Sequence, residues 1–406
     1  MKTDNIYQQK KSLFIVQKSS LIVLLFTVLV FMGNPPWPFW ENWFYITCLC
    51  VLLTTILLFN RFDKKFNKHG FIYYTLILLS FFVLFKSMQK FRTSSVVTIL
   101  VFLQLFYITD EEKESILNII TTIMYYVFLI SLPLWLINQF VYELPCFAEM
   151  TYGAWKGDGG KTILRNYIFF VDIKDYFRFY SIFDEPGVIG TISSFLLFAN
   201  RYNFKDRRNI IILIASIFTF SLAFYILTLF SITLYNITRI SKLIKIYLFI
   251  VLITLILFFS GIGRLAFSSL VFDRIQSINS SMDSRTSQNM KQYFSEYIKS
   301  KDAILGKGIK FLNNEIDSHD TGYRYFLIEN GILGFILILF MYIILQYNNK
   351  YIYNRNIFIY FMLFLISFFQ RPNLFTPWQL IIFSSGISVL SKPKNIIYSR
   401  KLSSLQ

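Results

Sequence analysis

The chain has 406 residues, of which 55% are hydrophobic and 16% are charged. Soluble domains carry nearer one quarter charged residues, so this composition excludes a soluble fold, which would need a polar exterior. The net charge of +17 is carried by Lys and Arg at the ends of apolar runs, which is typical of membrane proteins and argues against nucleic acid as a partner.

Apolar runs long enough to cross a bilayer as helices recur along the whole chain. They predict an all-α, polytopic transmembrane protein with about 12 spans (11–13) in one membrane domain, 1–406. Several Lys precede the first run and no small-residue cleavage site follows it, so we expect that span to be retained. The predicted spans are 13–32, 39–60, 71–88, 93–109, 116–142, 186–200, 209–220, 221–239, 246–262, 326–347, 356–370 and 374–390.

Two stretches are too polar for the bilayer, 143–185 and 263–325, and we predict two large outer loops with short helices there. With both termini in the cytoplasm, the inner segments, counted together with Lys18 near the start of the first span, hold 22 of the 40 Lys and Arg, and the short outer segments hold 4. The basic residues of short loops set orientation, so this asymmetry predicts cytoplasmic termini. Segment 209–239 has no Gly or Pro to turn it, but only two passes there place both long loops on one side.

The first loop ends in the run Arg178 to Gly190, which contains Asp184-Glu185-Pro186-Gly187. Pro186 fits the first helical position, and Ser181 with Asp184 has the spacing of a capping box. Capping alone explains the acidic residues. Alternatively, a helix N-terminus facing outward attracts anions, and Arg178 adds a fixed cation whose simpler role is snorkelling at the interface.

The second loop contains an amphipathic helix over 284–303, with Arg285 at its start, and then the tight turn Gly306-Lys307-Gly308. His319 follows, and a neutral imidazole at a membrane surface is able to take a hydroxyl proton, although a lone loop histidine is more often an ordinary surface residue. Tyr180, Tyr323, Arg324 and Arg371 are further candidates for contacts with sugars or phosphates; interfacial aromatic residues are also common without such a role. No metal-ligand spacing occurs, and Cys48, Cys50 and Cys146 indicate neither a bridge nor a metal site.

In order and spacing, these motifs resemble the Wzy-type O-antigen polymerases, which are related to the O-antigen ligases. The resemblance rests on Arg178…Glu185-Pro186-Gly187…Gly190 and on Arg285, Gly306–Gly308, His319 and Glu329…Gly331…Gly334. It covers roughly 170–340, and the rest of the chain agrees only in hydropathy. His319 is followed by Asp320 where the family commonly has Asn, and the 209–239 hairpin lacks the Arg or Gly often found near its turn.

The resemblance implies a metal-independent glycosyltransferase of the bacterial inner membrane that uses no cofactor. It would join undecaprenyl-diphosphate-linked oligosaccharides into O-antigen or capsular polysaccharide at the periplasmic face, with a chain-length regulator as a possible partner. Arg178 and Arg285 would hold the diphosphate, with Arg324, Arg371, Tyr180 and Tyr323 as further substrate contacts. His319 would act as base, with Glu185 as the second candidate.

Two other functions fit the same features. One is a ligase that transfers finished glycan to lipid A-core or to protein. The other is a flippase for lipid-linked oligosaccharide, which we expect to carry charges within its spans and to have shorter outer loops. Here the charges lie in loops and at span ends, which favours the enzymes.

Overall fold

A computed structural model describes residues 2–32, 43–65, 93–151, 161–165, 169–172, 177–183, 185–241, 243–245, 247–248, 288–308, 322–348, 354–371 and 374–392. This part of the chain is mostly helical. Its helices are α1 (Lys2–Met32), α2 (Trp43–Lys65), α3 (Thr93–Gln104), α4 (Asp110–Phe140), α5 (Pro186–Ala199), α6 (Arg207–Phe218), α7 (Leu222–Asn236), α8 (Gln288–Tyr297), α9 (Asp302–Leu305), α10 (Tyr323–Asn348), α11 (Arg355–Gln370) and α12 (Pro377–Ser391).

Ten of the twelve predicted spans fall on these helices, and the amphipathic segment of the second loop falls on α8. The predicted spans 71–88 and, except for residues 247–248, 246–262 lie outside the described residues. By length and composition, α4 and residues 323–346 of α10 are long and apolar enough to cross a membrane. Seven further apolar helices are shorter, with 10–17 residues each.

The first long loop differs from the expectation of short helices. Its described part is a three-stranded antiparallel sheet of β1 (Cys146–Thr151), β2 (Lys161–Arg165) and β3 (Phe169–Asp172), in the order β1-β2-β3. The backbone N–H of Phe170 in β3 donates to the carbonyl of Ser181, which ties the sheet to the segment before α5. The prediction of short helices was therefore wrong for the part of this loop that the structure describes, because no apolar periodicity marks such short strands.

The bundle has two ends at which helix termini collect. At the first, the Glu112 end, Glu112 of α4 accepts hydrogen bonds from both terminal amines of Arg61 in α2, at 2.7 and 2.8 Å, and from Ser19 in α1. Ser388 of α12 donates to Asp110 at 3.1 Å, and Lys392 pairs with Glu114.

The turn after α5 completes the Glu112 end. Arg201 donates to the carbonyls of Val389 and Leu390 at the C-terminus of α12, at 3.2 and 2.9 Å, and Asn354 also donates to Leu390. A cation at a helix C-terminus satisfies orphan carbonyls and favours the helix dipole. Six helices are thereby joined by polar side chains at this end.

Helix directions alternate between the two ends. From the partners at the Glu112 end, the apolar part of α1 (Gln17–Met32), α4, α6 and α11 start there, whereas α2, α3, α5, α7, α10 and α12 finish there. The pairs α2/α3 and α7/α10 run in the same direction, and each pair flanks one of the two predicted spans outside the described residues.

Segment 209–239 breaks into two antiparallel helices, as predicted. α6 ends at Phe218, Phe220 adopts a φ of 47°, and α7 starts at Leu222. α7 runs parallel to α5, since Gly190 packs on Ser221 and Phe224 at one end and Phe198 lies 6.0 Å from Tyr235 at the other.

Some helices bury polar side chains and expose large apolar ones. On α2 the face turned to the bundle carries Thr47 and Thr54, which are 6% and 0% exposed, and Thr54 bonds the buried Gln104 of α3 at 2.9 Å. The opposite face of α2 carries large apolar side chains that are 55–73% exposed, namely Tyr45, Leu49, Leu52, Ile56 and Phe59. α12 is buried along its length and includes Gln379, Ser384, Ser385 and Ser388. An exposed apolar helix face of this kind is typical of helices that contact lipid.

Candidate functional site

The N-terminus of α5 is the first element of the site. Helix α5 begins at Pro186, as predicted, and Glu185 is its N-cap. The predicted capping box is wrong in one respect: the Ser181 hydroxyl bonds Ser131 of α4 at 2.9 Å, and Ser181 has a φ of 48°. Asp184 lies outside the described residues. Glu185 makes no side-chain cap hydrogen bond, so its carboxylate serves another partner.

That partner is Arg371, which follows α11. The guanidinium of Arg371 donates to the Glu185 carboxylate and forms an ion pair with it. The Arg371 guanidinium also lies against Gly187, because a Cβ at that glycine would stand 2.5 Å from Nη2 and 3.1 Å from Nε. The structure thus brings together two candidates, Glu185 and Arg371, that are 186 residues apart in the chain.

Arg178 lies at the neighbouring turn and is buried, with 8% exposure. Its Nε donates to the carbonyl of Thr219 at 3.0 Å, and the backbone N–H of Phe179 donates to Phe218 at 3.0 Å. Arg178 therefore joins the first loop to the α6–α7 turn. The α6–α7 turn contains no Lys or Arg of its own, so Arg178 is a source of positive charge beside it.

Tyr180 is buried beside β3. Its side chain is 3% exposed and packs with Phe170 in a small apolar cluster. The Tyr180 ring would have to separate from the Phe170 ring before it could contact a sugar. Tyr180 is therefore a weaker candidate for substrate binding than the sequence predicts.

The start of α10 lies beside the end of α11. The ring of Tyr323 meets the ring of Phe369 edge-on at 5.6 Å, two residues before Arg371. The guanidinium of Arg324 sits 5.4 Å from the Tyr323 ring and 6.0 Å from the Phe294 ring, distances at which a cation is attracted to an aromatic face. Tyr323 and Arg324 are therefore at the same end of the bundle as Glu185 and Arg371. We call this end the Glu185 end.

Helix α10 is broken at Gly331, where φ is 70°. The break frees the preceding carbonyls, and the second loop satisfies three of them in succession. Tyr297 Oη donates to Leu327 at 3.0 Å, and the backbone N–H groups of Lys307 and Gly308 donate to Ile328 and Glu329 at 2.8 and 3.1 Å.

Gly306, with a φ of 81°, lies directly on this break. A Cβ on Gly306 would stand 2.5 Å from the Glu329 carbonyl oxygen, and a Cβ on Gly331 would stand 2.5 Å from the Ile304 carbonyl oxygen. Glycine is required at both positions for close approach as well as for φ. We call this contact between 304–308 and 327–331 the glycine clasp.

Lys307 belongs to a small cluster that the sequence did not predict. Its ammonium lies 3.6 Å from the Asp302 carboxylate and 5.5 Å from the centre of the Tyr293 ring. The hydrogen bond with Tyr293 raises the pKa of Lys307, and burial raises the pKa of Tyr297. Both groups therefore keep their protons at neutral pH, and Tyr297 stays a hydrogen-bond donor to α10.

His319 and Arg285, the predicted base and the second predicted diphosphate ligand, lie outside the described residues. Their roles stay predictions. In the described part of the chain, no group of three or more His, Cys, Asp or Glu residues has the geometry to hold a metal ion.

Comparisons with family models, with curated proteins and with solved structures find no match to this chain.

Proposed function

We propose that this protein is a multi-span membrane glycosyltransferase that polymerises undecaprenyl-diphosphate-linked oligosaccharides into O-antigen or capsular polysaccharide. It would reside in the bacterial inner membrane with about 12 spans, and the Glu185 end would face the periplasm. The observation that carries the proposal is the convergence of Arg178, Glu185, Arg371 and Tyr323 at the end of the bundle where both long loops attach.

The exposed apolar helix faces support the membrane part of the proposal. Apolar side chains cover the exposed faces of α2 and α4, and hydrogen-bonded Thr, Ser and Gln side chains lie inside. In hydrocarbon, polar groups must find partners within the protein, and the hydrogen bond of Thr54 with Gln104 is one such pairing.

The charges at the Glu185 end support the reaction class. Glycosyl transfer from a lipid diphosphate develops negative charge on the leaving group, and a guanidinium stabilises that charge bidentately. Arg371 lies at the rim with 14% of its side chain exposed, whereas Arg178 is more deeply buried. Of the two, Arg371 is the better placed to meet a substrate. The acceptor hydroxyl needs a base, and Glu185 and His319 are the candidates.

Gene deletion tests this function. In its absence, surface glycan should consist of a single repeat unit on its normal carrier. Complete loss of attached glycan, with full-length polymer accumulating on undecaprenyl diphosphate, would identify a ligase instead. Unaltered length and attachment would contradict both enzymes.

A second experiment tests the reaction directly. Purified protein in proteoliposomes, given only the undecaprenyl-diphosphate-linked repeat unit, should form polymer that is seen as a ladder on a gel. Arg178→Ala, Arg285→Ala and His319→Ala variants should each lose activity while the protein stays in the membrane. Wild-type activity in any one of them removes that residue from the mechanism.

Cysteine labelling in intact cells tests the orientation. Single cysteines in 143–185 and 263–325 should react with an impermeant maleimide, and cysteines in 200–208 and 239–245 should react only after permeabilisation. The reverse pattern for the second loop would place the two loops on opposite sides and exclude a shared site.

A further inference from the structure

The Glu185–Arg371 pair contributes little to ending the helices that carry it. Glu185 caps α5 without a side-chain hydrogen bond, and α11 ends through the backbone, where the N–H of Arg371 donates to Ser367 at 2.8 Å. The two side chains are 26% and 14% exposed, so the pair lies at the rim of the bundle. It is therefore accessible to exchange with another anion.

Arg371 has donor capacity left over. Its Nε is buried and has no hydrogen-bond partner among the described residues. A guanidinium offers five N–H donors in a planar fork, and one carboxylate does not use them all. The fork lies on Gly187 in the first turn of α5, where the helix dipole adds to the positive potential. A diphosphate carries more charge and more acceptor oxygens than one carboxylate, so it competes well for this position.

We infer that Glu185 is a displaceable counter-ion of Arg371: the diphosphate of the lipid-linked donor replaces it, and the freed carboxylate then takes the proton of the acceptor hydroxyl. The inference rests on the proposed function and adds an order of events to it. The donor binds first, and its binding prepares the base for the acceptor.

The chemical step balances without a further reactant. The acceptor oxygen attacks the anomeric carbon of the donor, and a new C–O bond forms as the C–O bond to the diphosphate breaks. The bonding electron pair leaves on the diphosphate, which Arg371 holds. The hydroxyl proton passes to the Glu185 carboxylate, which loses it to water and returns to Arg371 when undecaprenyl diphosphate departs.

The test uses the full-length protein in nanodiscs with undecaprenyl diphosphate itself as the probe, because this ligand binds without reacting. Glu185→Gln removes the competing charge and should tighten binding roughly 10-fold, as expected when a binding-competent state goes from about a tenth populated to fully populated. Arg371→Ala should weaken binding at least 10-fold. Glu112→Gln, which breaks the equivalent carboxylate–arginine pair at the opposite end, is the matched control and should leave binding unchanged.

Turnover of the lipid-linked repeat unit supplies the second readout. Glu185→Gln should lower kcat by on the order of 100-fold, the scale of general-base loss, while it lowers the KM for donor. Glu185→Asp keeps a carboxylate and should recover part of kcat, which guards against a folding defect. A pair with only a structural role would instead give Glu185→Gln protein that melts earlier and binds the probe no more tightly.

The two proposals fail in different ways. Wild-type protein that neither binds undecaprenyl diphosphate nor forms polymer would overturn the proposed function. Wild-type protein that forms polymer, with a Glu185→Gln variant that binds the probe no more tightly or keeps full kcat, would overturn the counter-ion role alone.

Discussion

The two ends of the bundle are held together in different ways. At the Glu112 end, several ion pairs and side-chain caps join six helices, and the central carboxylate is 3% exposed. At the Glu185 end, within the residues that the structure describes, an ion pair joins α5 to α11, and contacts of the loops with helix ends supply further ties. Many ties shared among six helices favour rigidity, and fewer ties between helices favour exchange, so we assign stability to the first end and chemistry to the second.

The largest expected effect separates the two assignments. Arg371→Ala should reduce polymer formation at least 100-fold, the scale for losing one donor to developing negative charge, measured as turnover in proteoliposomes. The free energy of unfolding of this variant in detergent should differ from the wild-type value by less than about 1 kcal/mol, because partly exposed ion pairs contribute little. Arg371→Lys should restore only part of the activity, since it keeps the charge but loses the fork. A collapse in stability with normal turnover per folded molecule would reverse the assignment.

The glycine clasp should give the next largest effect. Gly331→Ala introduces a Cβ 2.5 Å from a carbonyl oxygen at a φ of 70°, and we expect a loss of about 3 kcal/mol in the free energy of unfolding. Gly322→Ala is the control, since it has a φ of 124° but nothing within 4 Å of the added Cβ. It should cost about 1 kcal/mol, the backbone part alone. Equal losses in the two variants would mean that the close contact contributes nothing.

Glu112→Gln should cost about 2 kcal/mol, because it removes the charge that faces Arg61 in a mostly buried position. Turnover of each folded molecule should stay at the wild-type value. Thermal unfolding and the proteoliposome assay, run on the same preparation, check both parts. A selective loss of turnover would show that the Glu112 end takes part in the reaction.

The smallest effect concerns the C-terminus of α12. Arg201→Met keeps the apolar stem and removes the donors to Val389 and Leu390, and we expect a loss of about 1 kcal/mol. Asn354→Ala removes a second donor to Leu390 and serves as the comparison. If the hydrogen bonds at this end are redundant, each single substitution should lower the free energy of unfolding only slightly. The double substitution should then lower it by more than the sum of the two single losses.

The sequence predicted the helices well and the contacts between distant residues poorly. Apolar runs and Pro186 mark helix positions because those signals are local. The break within 209–239 was predicted by a different argument, since only two passes there place both long loops on one side. The Glu185–Arg371 pair and the contact of Arg201 with α12 join residues separated by 186 and about 190 positions. No single-sequence pattern encodes such pairings, since they depend on how whole helices pack.

The loops show the same limit more clearly. The sequence predicted the turn at 306–308. No local pattern, however, indicates that Gly306 and Gly331 are in contact. The sheet of the first loop was missed because its strands have only four to six residues.

The glycine clasp also sets the order in which the protein is assembled. The carbonyls of Leu327, Ile328 and Glu329 belong to α10, but their donors come from chain that is synthesised earlier. In the proposed topology, the second loop crosses to the periplasmic side before α10 is synthesised, so α8 and α9 lack their packing partner until α10 follows. Insertion of α10 then completes the loop, and α11 and α12 follow. The Glu185 end is therefore completed last, and if the proposed topology holds, a chain truncated before α10 should expose the second loop to periplasmic proteases.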